Sequence, residues 1–268
     1  MKRIALSAAT AVVLATGAVA AVPATAAGAP AGYLQPTTSI EPAKGCVRLS
    51  PGMNGIKVKM VQRKLGLGSR WETMDSTTIR RVRTFQRRHG LRASGVVNRR
   101  TWNAMGFRER FCFDRWQARP ALPADATRRQ RVRTMIAFAM EYRGAEYVWG
   151  GAGRPKYGVD CSGLVLQSLY RAGLDPQPIS IDKHVLPAYR TSKEMYEHGR
   201  LRHVRLARKK RGDLIFYRKD STGDINHVAI YLGRGRMVEA KGDDVHVTRV
   251  GKHYYNQSIA RTVVRPFS

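Results

Sequence analysis

The sequence predicts an α+β protein in which a small three-helix domain precedes a larger domain with helices followed by an antiparallel sheet. Three observations support this prediction. Two segments between residues 58 and 91 repeat a helical spacing of apolar residues. Residues 132–172 contain two further helical patterns separated by glycines. After residue 213, five short segments are rich in β-branched and aromatic residues, which is typical of strands.

The length of the chain allows two modest domains, and its net charge indicates which kinds of partner it favours. It has 268 residues, of which 43% are hydrophobic and 25% are charged, so it has enough apolar surface to fold. The formal net charge is +29. A surplus of this size favours polyanionic surroundings, namely nucleic acid, an anionic membrane or an anionic cell-wall polymer.

The N-terminus has the order of features of a secretory signal peptide. Lys2 and Arg3 precede an apolar run over residues 4–22, and Ala24 and Ala26 form a small-residue cleavage site. We predict a signal peptide over residues 1–26 and a flexible tail over 27–44. A membrane anchor is the alternative, although the run is short for a span. An exported chain would meet wall polymers rather than chromosomal DNA, and its mature form would have no transmembrane segment.

Residues 45–112 contain an internal repeat with an offset of 24 residues. Val58 corresponds to Val82, and Gln62 corresponds to Gln86. In both copies apolar residues recur at helical spacing, and a glycine suited to the left-handed conformation follows the helix. A third short helix is expected around Trp102. These segments predict a small helical domain over residues 45–112.

The chain has three cysteines, so an oxidising compartment would leave one of them unpaired. Cys46 and Cys112 lie at the two edges of the repeat, and the economical prediction is one disulfide between them. Such a bond would stabilise a unit of this size by about 4 kcal/mol through loop entropy. Cys161 then remains as the unpaired thiol.

A second domain is predicted over residues 128–268, after a proline-containing linker over 113–127. Its first helix has apolar residues at i, i+3, i+4 and i+7, beginning at Val132. A glycine-rich loop follows, and a second helix is expected from Cys161 to about Ala172. Residues 174–211 are predicted to be irregular. The expected strands span residues 214–217, 228–232, 237–240, 245–250 and 261–264.

Cys161 lies where a nucleophile would benefit from the start of a helix. Asp160 can cap this helix, and the positive end of the helix dipole then stabilises a thiolate at Cys161. The N–H groups of the first turn can also donate to a developing oxyanion. Glycines at positions 150, 151, 153 and 158 allow a substrate backbone to approach closely. The alternative interpretation is a small buried core cysteine.

A thiolate nucleophile needs a base, and the seven histidines differ in how well they fit this role. His227 begins an apolar strand, from which its imidazole can point into a cleft while the strand fixes its position. His89 is expected on a helix surface in the small domain. His184, His198 and His203 are expected to be solvated in a basic segment.

The group that orients the imidazole depends on the register of a predicted hairpin. A three-residue loop over residues 233–235 places Glu239 on the same face as His227. A two-residue loop pairs Ile230 with Glu239 and turns the carboxylate away. His246 is the second candidate for this role, and the sequence alone does not distinguish the two registers.

Four blocks of sequence occur in the order found in a known family. They are Tyr147-Val-Trp-Gly-Gly, Asp160-Cys-Ser-Gly-Leu-Val, Arg211-Gly-Asp-Leu-Ile-Phe and His227-Val-Ala-Ile-Tyr-Leu-Gly. Through these blocks, residues 128–268 resemble the NlpC family of cell-wall cysteine endopeptidases. That family has a papain-like fold and cleaves peptidoglycan stem peptides, commonly between γ-D-glutamate and a diamino acid.

The resemblance implies a role for each matching residue. Cys161 would be the nucleophile and His227 the base, in agreement with the chemistry expected from their positions. Glu239 lies twelve residues after His227, at the family's third polar position, where the family often has histidine, asparagine or glutamine. The remaining matching residues would bind substrate or support the site; they are Tyr147, Asp160 and Ser162.

The small domain is similar to the three-helix peptidoglycan-binding repeat domain, through its repeated glutamines and its Gly95-Val-Val and Thr101-Trp segments. Such a domain would hold an enzyme on the wall and raise the local substrate concentration. A purely structural helical unit is the alternative. The basic segment over residues 175–210 could shape the cleft, bind an acidic wall polymer or be a solvated loop.

Together these features favour a secreted, monomeric, cell-wall-associated cysteine endopeptidase that acts on peptidoglycan. Anionic wall polymers are expected as partners of the basic surface, and no specific nucleic-acid partner is expected. Three alternatives stay open: an N-acetylmuramoyl amidase, an acyl or transpeptidyl transferase, and a non-catalytic wall-binding protein. No metal or cofactor is expected, because the sequence has no His-Glu-x-x-His motif, Walker loop or dinucleotide fingerprint.

Overall fold

The computed structural model describes residues 46–68, 72–174, 190–199, 201–251 and 256–268. The predicted signal peptide, the predicted tail and His184 lie outside these ranges. Within them the helices precede the strands, so the α+β prediction is confirmed. The helices are α1 (Ile56–Lys64), α2 (Ser76–Arg88), α3 (Arg99–Ala104), α4 (Arg128–Met140), α5 (Cys161–Arg171) and α6 (Ser192–Glu197). The strands are β1 (Arg202–Arg205), β2 (Leu214–Lys219), β3 (Ile225–Gly233), β4 (Arg236–Lys241), β5 (Asp244–Arg249), β6 (Gln257–Ile259) and β7 (Thr262–Arg265).

The two copies of the sequence repeat make the same buried contact. The side-chain amide of Gln62 donates to the hydroxyl of Thr78 in α2 (3.1 Å) and to a carbonyl group in the loop before that helix. The side-chain amide of Gln86 donates in the same way to the hydroxyl of Thr101 in α3 (3.1 Å) and to the preceding loop. Both glutamines are buried. Each one therefore holds the start of the next helix in place.

The small domain packs around an aromatic cluster and contains a disulfide. Cys46 and Cys112 are bonded to each other, with their Cα atoms 5.2 Å apart. Trp102 is buried, and its ring lies 4.1 Å from that of Phe107 and 5.9 Å from that of Phe111. The aliphatic residues of this core come from α1, α2 and the segments that flank them; they include Leu49, Val58, Val61, Met74, Val82 and Val97.

The strands form one antiparallel sheet in the order β1-β7-β2-β3-β4-β5, and β6 pairs separately with β2. Helix α5 packs against β3 and β4, and α4 packs against α5. Alternation along β2 explains the two apolar faces of the sheet. Leu214 and Phe216 face the helices, whereas Ile215 and Tyr217 belong to a second apolar cluster. The arrangement places the first residue of α5 beside the centre of the sheet.

The hairpin between β3 and β4 has a two-residue turn, and a bulge lies in β3 just before the turn. Arg234 and Gly235 form the turn, and both have left-handed φ angles, of 52° and 71°. Gly233 pairs with Arg236, and the register shifts between Tyr231 and Gly233. The loop therefore has two residues, as in the second predicted alternative. The bulge adds one residue to β3 that neither alternative included.

The bulge gives the strands the register of the three-residue alternative. Ile230 pairs with Val238, not with Glu239 as the two-residue alternative required. Because successive side chains alternate between the faces of a strand, this register brings Glu239 to the face occupied by His227. The side chains of these two residues are in contact.

The structure corrects the prediction that residues 174–211 are irregular. In the described part of this segment, α6 begins with a capping box formed by Thr191 and Glu194, and β1 joins the sheet. His198 was expected to be solvated but is buried, whereas His203 is exposed as expected. A helix of six residues has too few turns to produce a recognisable hydrophobic periodicity.

The segment predicted as a linker packs against the helices of the second domain. The N–H of Ala118 donates to the side chain of Gln167 (2.8 Å), and the N–H of Ala121 donates to the carbonyl of Arg171 (2.9 Å). Both acceptors belong to α5. This part of the chain is therefore bound to the helix that begins at Cys161.

We predict that Gln86→Leu lowers the free energy of unfolding of the small domain by about 2 kcal/mol, because it leaves buried hydrogen-bonding groups without partners. The measurement is urea unfolding followed by the fluorescence of tryptophan. Arg81→Gln, on the exposed side of the same helix, is the control and should leave stability unchanged. Equal stability of the two variants would contradict the role assigned to Gln86.

Candidate active site

Cys161 is the first residue of α5 and borders a cleft of about 890 Å³. Asp160 is the N-cap of the helix, and its carboxylate accepts a hydrogen bond from the N–H of Gly163 (2.7 Å). The N–H groups of Cys161 and Ser162 belong to the first turn, where a helix provides no backbone acceptor. The start of α5 therefore presents a thiol together with two backbone donors.

Gly163 allows the loop before α5 to lie directly against the helix. A Cβ atom at Gly163 would be 2.1 Å from the carbonyl oxygen of Gly151, which is shorter than any real contact. The N–H of Gly150 donates to the carboxylate of Asp160 (3.0 Å). A larger residue at position 163 would push the loop away from Cys161, so the glycine there is required by this close approach.

Arg190 joins the helix cap, the glycine loop and α6 through a buried guanidinium group. Its side chain is completely buried and donates to the carboxylate of Asp160 (2.8 Å) and to the hydroxyl of Ser162 (3.1 Å). A third hydrogen bond goes to the carbonyl of Gly151 (2.8 Å). Arg190 was not among the predicted site residues. The Thr-x-x-Glu capping box that begins at Thr191 is a sequence signal for the start of α6, but it does not indicate that Arg190 is buried.

His227 contacts both Glu239 and Cys161. The Nε2 atom of His227 is hydrogen-bonded to the carboxylate of Glu239, and a further hydrogen bond joins the imidazole to the side chain of Cys161. Burial by itself lowers the pKa of His227, but the hydrogen bonds to Cys161 and Glu239 outweigh it and raise the pKa from 6.5 to about 9. At neutral pH the imidazole is therefore positively charged between two acidic groups.

His246 lies on the far side of the Glu239 carboxylate. Glu239 and His246 are directly opposite each other in the pairing of β4 with β5. The Nε2 atom of His246 is 3.6 Å from the Oε1 atom of Glu239, and its Nδ1 atom is 2.8 Å from a carboxylate oxygen of Asp244. Of the two predicted orienting groups, Glu239 is thus the one that contacts His227.

Tyr147 is a partly buried phenol in the wall of the cleft. Burial raises its pKa well above the usual range, and negative charge at Cys161 and Asp160 raises the pKa further. The hydroxyl group therefore keeps its proton across the physiological range and can act as a hydrogen-bond donor. The predicted supporting residues all lie near Cys161; they are Tyr147, Asp160 and Ser162.

The small domain contributes to the same cleft. Glu72 and Trp149 line the cleft. The backbone N–H of Trp149 donates to the Glu72 carboxylate (3.2 Å). Glu146, at the start of the glycine loop, forms ion pairs with Lys59 and with Arg63 (3.1 Å to the latter). The predicted site did not include residues of the small domain, because nothing in a linear sequence indicates how two domains pack.

Two kinds of feature are absent from the described ranges. In these ranges no group of three or more His, Cys, Asp or Glu side chains could hold a metal ion. No helix in them is long and apolar enough to cross a membrane.

We predict that Arg190→Met lowers the free energy of unfolding by about 3–5 kcal/mol, because the buried carboxylate of Asp160 loses its compensating charge. The same variant should slow the alkylation of Cys161 by iodoacetamide, since the cap and the loop no longer hold the start of α5. The measurements are urea unfolding and the alkylation rate in native buffer. Arg143→Met, at an exposed position, is the control. Wild-type stability of Arg190→Met would contradict this role.

Comparison with known proteins gives two family matches. Residues 144–264 match the NlpC/P60 family, and residues 57–105 match the family described as a putative peptidoglycan binding domain. The murein DD-endopeptidase MepH of Escherichia coli is 33% identical over 131 residues, which cover 47% of this chain and 44% of that protein. The peptidoglycan endopeptidase RipB of Mycobacterium tuberculosis is 37% identical over 134 residues, which cover 46% of this chain and 48% of that protein. The chain thus spans less than half the length of these curated relatives.

Solved structures of the same kind of domain are also similar. The structure of the peptidoglycan hydrolase RipB from Mycobacterium tuberculosis has a TM-score of 0.41 and 27% identity, and the match covers 72% of this chain and 87% of that one. RipD from the same organism, described as a non-catalytic NlpC/p60 domain protein, has a TM-score of 0.38 and 31% identity, with 51% and 97% coverage. From the family matches, the chain combines a peptidoglycan-binding domain with a domain of the NlpC/P60 family.

Proposed function

We propose that this protein is a secreted cysteine endopeptidase that hydrolyses the stem peptides of peptidoglycan. The observation that supports this most strongly is the connected set Cys161–His227–Glu239 beside an open cleft. Relatives that match this domain carry the names of murein and peptidoglycan endopeptidases. The bond that we propose is the one between γ-D-glutamate and a diamino acid, which is the bond that the family resemblance implies.

The first half of the proposed reaction forms a thioester with Cys161. The thiolate attacks the scissile carbonyl carbon, and the negative charge moves to the carbonyl oxygen. The N–H groups of Cys161 and Ser162, in the first turn of α5, can donate hydrogen bonds to that oxyanion. The imidazolium of His227 then gives its proton to the leaving amine as the carbon–nitrogen bond breaks, and this leaves a neutral imidazole hydrogen-bonded to Glu239.

The second half of the reaction hydrolyses the thioester. Neutral His227 takes a proton from a water molecule, whose oxygen attacks the acyl carbon. Breaking the carbon–sulfur bond releases the product as a carboxylic acid, which loses its proton to the solvent, and returns a thiolate beside an imidazolium, which is the starting state. Glu239 keeps the ring oriented and stabilises its positive charge, so we propose that it is the third member of the catalytic set.

The small domain and the charge of the chain support a location at the cell wall. The peptidoglycan-binding domain would keep the enzyme next to its substrate. The N-terminal signal-like sequence supports secretion, and the net charge of +29 supports binding to anionic wall polymers. We propose that peptidoglycan is the principal partner and that the mature protein acts as a monomer.

We predict that the purified mature protein releases stem-peptide fragments from peptidoglycan and that Cys161→Ala releases none, because the nucleophile is missing. His227→Ala should be similarly inactive. Mass spectrometry of the soluble fragments identifies the bond, and Thr222→Ala, in the exposed turn between β2 and β3, is the active control. Release of intact stem peptides would instead indicate an amidase, and new cross-links a transferase. Pelleting with the wall but no cleavage by the wild type would indicate a binding protein.

We predict that kcat/KM decreases as the pH rises through about 9, because the raised pKa of His227 keeps the leaving-group proton available only below that pH. In Glu239→Gln one of the groups that raises this pKa is lost, so the decrease should begin at a lower pH. The measurement is a profile of kcat/KM against pH with a soluble stem peptide at constant ionic strength. An identical alkaline limb in both proteins would mean that Glu239 does not stabilise the charged imidazole.

A further inference from the structure

Lys241 is a cation of the cleft that the proposed reaction does not use. It ends β4 two residues after Glu239, so its side chain leaves the strand on the same face. It lines the cleft together with Cys161 and His227. Its Nζ atom donates a hydrogen bond to the side-chain oxygen of Gln257 on β6 (2.7 Å). The ammonium group therefore lies close to the atoms that react.

The burial of Lys241 disfavours its charge. Burial lowers the pKa of Lys241 from 10.5 to about 8, and this effect exceeds the opposing attraction of Glu239 and Cys161. The titratable groups that interact with it are Glu239 on its own strand and Cys161 on α5, and His227 on β3 lines the same cleft. An anion that replaces the lost water around such an ammonium group is bound favourably.

The charges around the cleft restrict where a substrate carboxylate can go. Among the described residues that line it, the cationic side chains are those of Lys241 and His227, and His227 is the proposed proton donor of the reaction. The carboxylates of Glu72 and Asp243 also line the cleft, and they repel an anionic group placed next to them. A carboxylate on the bound peptide is therefore directed to Lys241.

We propose that Lys241 is a specificity-determining residue that binds a carboxylate of the stem peptide adjacent to the scissile bond. This inference rests on the proposed function. Two carboxylates of a stem peptide fit it: the α-carboxylate that a γ-linked glutamate leaves free, and a carboxylate of the diamino acid on the leaving side. A neutral carboxamide forms a weaker hydrogen bond with an ammonium group than a carboxylate does. Amidated stem peptides are therefore poorer substrates.

The test compares three synthetic stem peptides: one with both carboxylates free, one amidated at the glutamyl α-carboxylate, and one amidated at the diamino acid. For the wild type we expect amidation at one position to reduce kcat/KM about tenfold or more, mainly through KM. Lys241→Met should cleave all three peptides with similar kcat/KM, and Lys241→Arg should restore the preference. The position whose amidation matters identifies the carboxylate. Lys219→Met, at the exposed end of β2, is the control.

Binding measurements keep the inference independent of catalysis. Calorimetry measures the Kd of each of the three peptides. The Cys161→Ala protein should show the same tenfold preference in Kd, and the Cys161→Ala, Lys241→Met protein should not. Equal cleavage of the three peptides by the wild type, or an unchanged preference in Lys241→Met, would overturn the inference while Cys161-dependent cleavage still supported the proposed function. An inactive wild type would refute the proposed function, and the calorimetric comparison would still decide the role of Lys241.

Discussion

The complete burial of the Glu239 carboxylate is the constraint on which the candidate site depends. A carboxylate without access to water is strongly destabilised unless a positive charge accompanies it, and in this protein that charge is the imidazolium of His227. The same imidazolium contacts the side chain of Cys161, and its hydrogen bonds to Cys161 and Glu239 raise the pKa of His227 to about 9. The buried pair therefore holds a charged ring beside Cys161.

A second set of interactions brings the thiol to this pair from another part of the chain. Asp160 and Arg190 form an ion pair that is as deeply buried as the His227–Glu239 pair, and it holds the start of α5 against the glycine loop. Packing of α5 on β3 and β4 then fixes the helix relative to the hairpin. Loosening either ion pair would separate the two halves of the site, so their costly burial has a role in positioning as well as in packing.

Much of this arrangement could be predicted from the sequence, because local patterns determine it. An acidic residue before Cys161 indicates a helix start, and a histidine at the head of an apolar strand indicates a fixed base. The repeated glutamines, Gln62 and Gln86, marked a repeat whose shared buried contact only the structure revealed. The register of Glu239 could not be derived, because a bulge near Gly233 adds a residue that hydrophobic alternation does not reveal.

Other parts of the site depend on contacts between distant segments. Arg190 would ordinarily be expected at the surface, and only the fold shows that it meets Asp160 inside the protein. Lys241 likewise lines the cleft, and its side chain reaches Gln257 on β6, far along the chain. Glu72 is added by the packing of the small domain beside the glycine loop. Long-range packing of this kind leaves no periodic signal, which is why charged residues were the ones that sequence reasoning missed.

His227 is positively charged at neutral pH because it lies between Cys161 and Glu239. A pH titration of the His227 ring by NMR tests this directly, in protein labelled with 15N-histidine and with a His227→Gln sample for assignment. We expect a ring that is doubly protonated at pH 7 and loses a proton near pH 9. A neutral ring at pH 7, with a pKa at or below the ordinary value of 6.5, would contradict it.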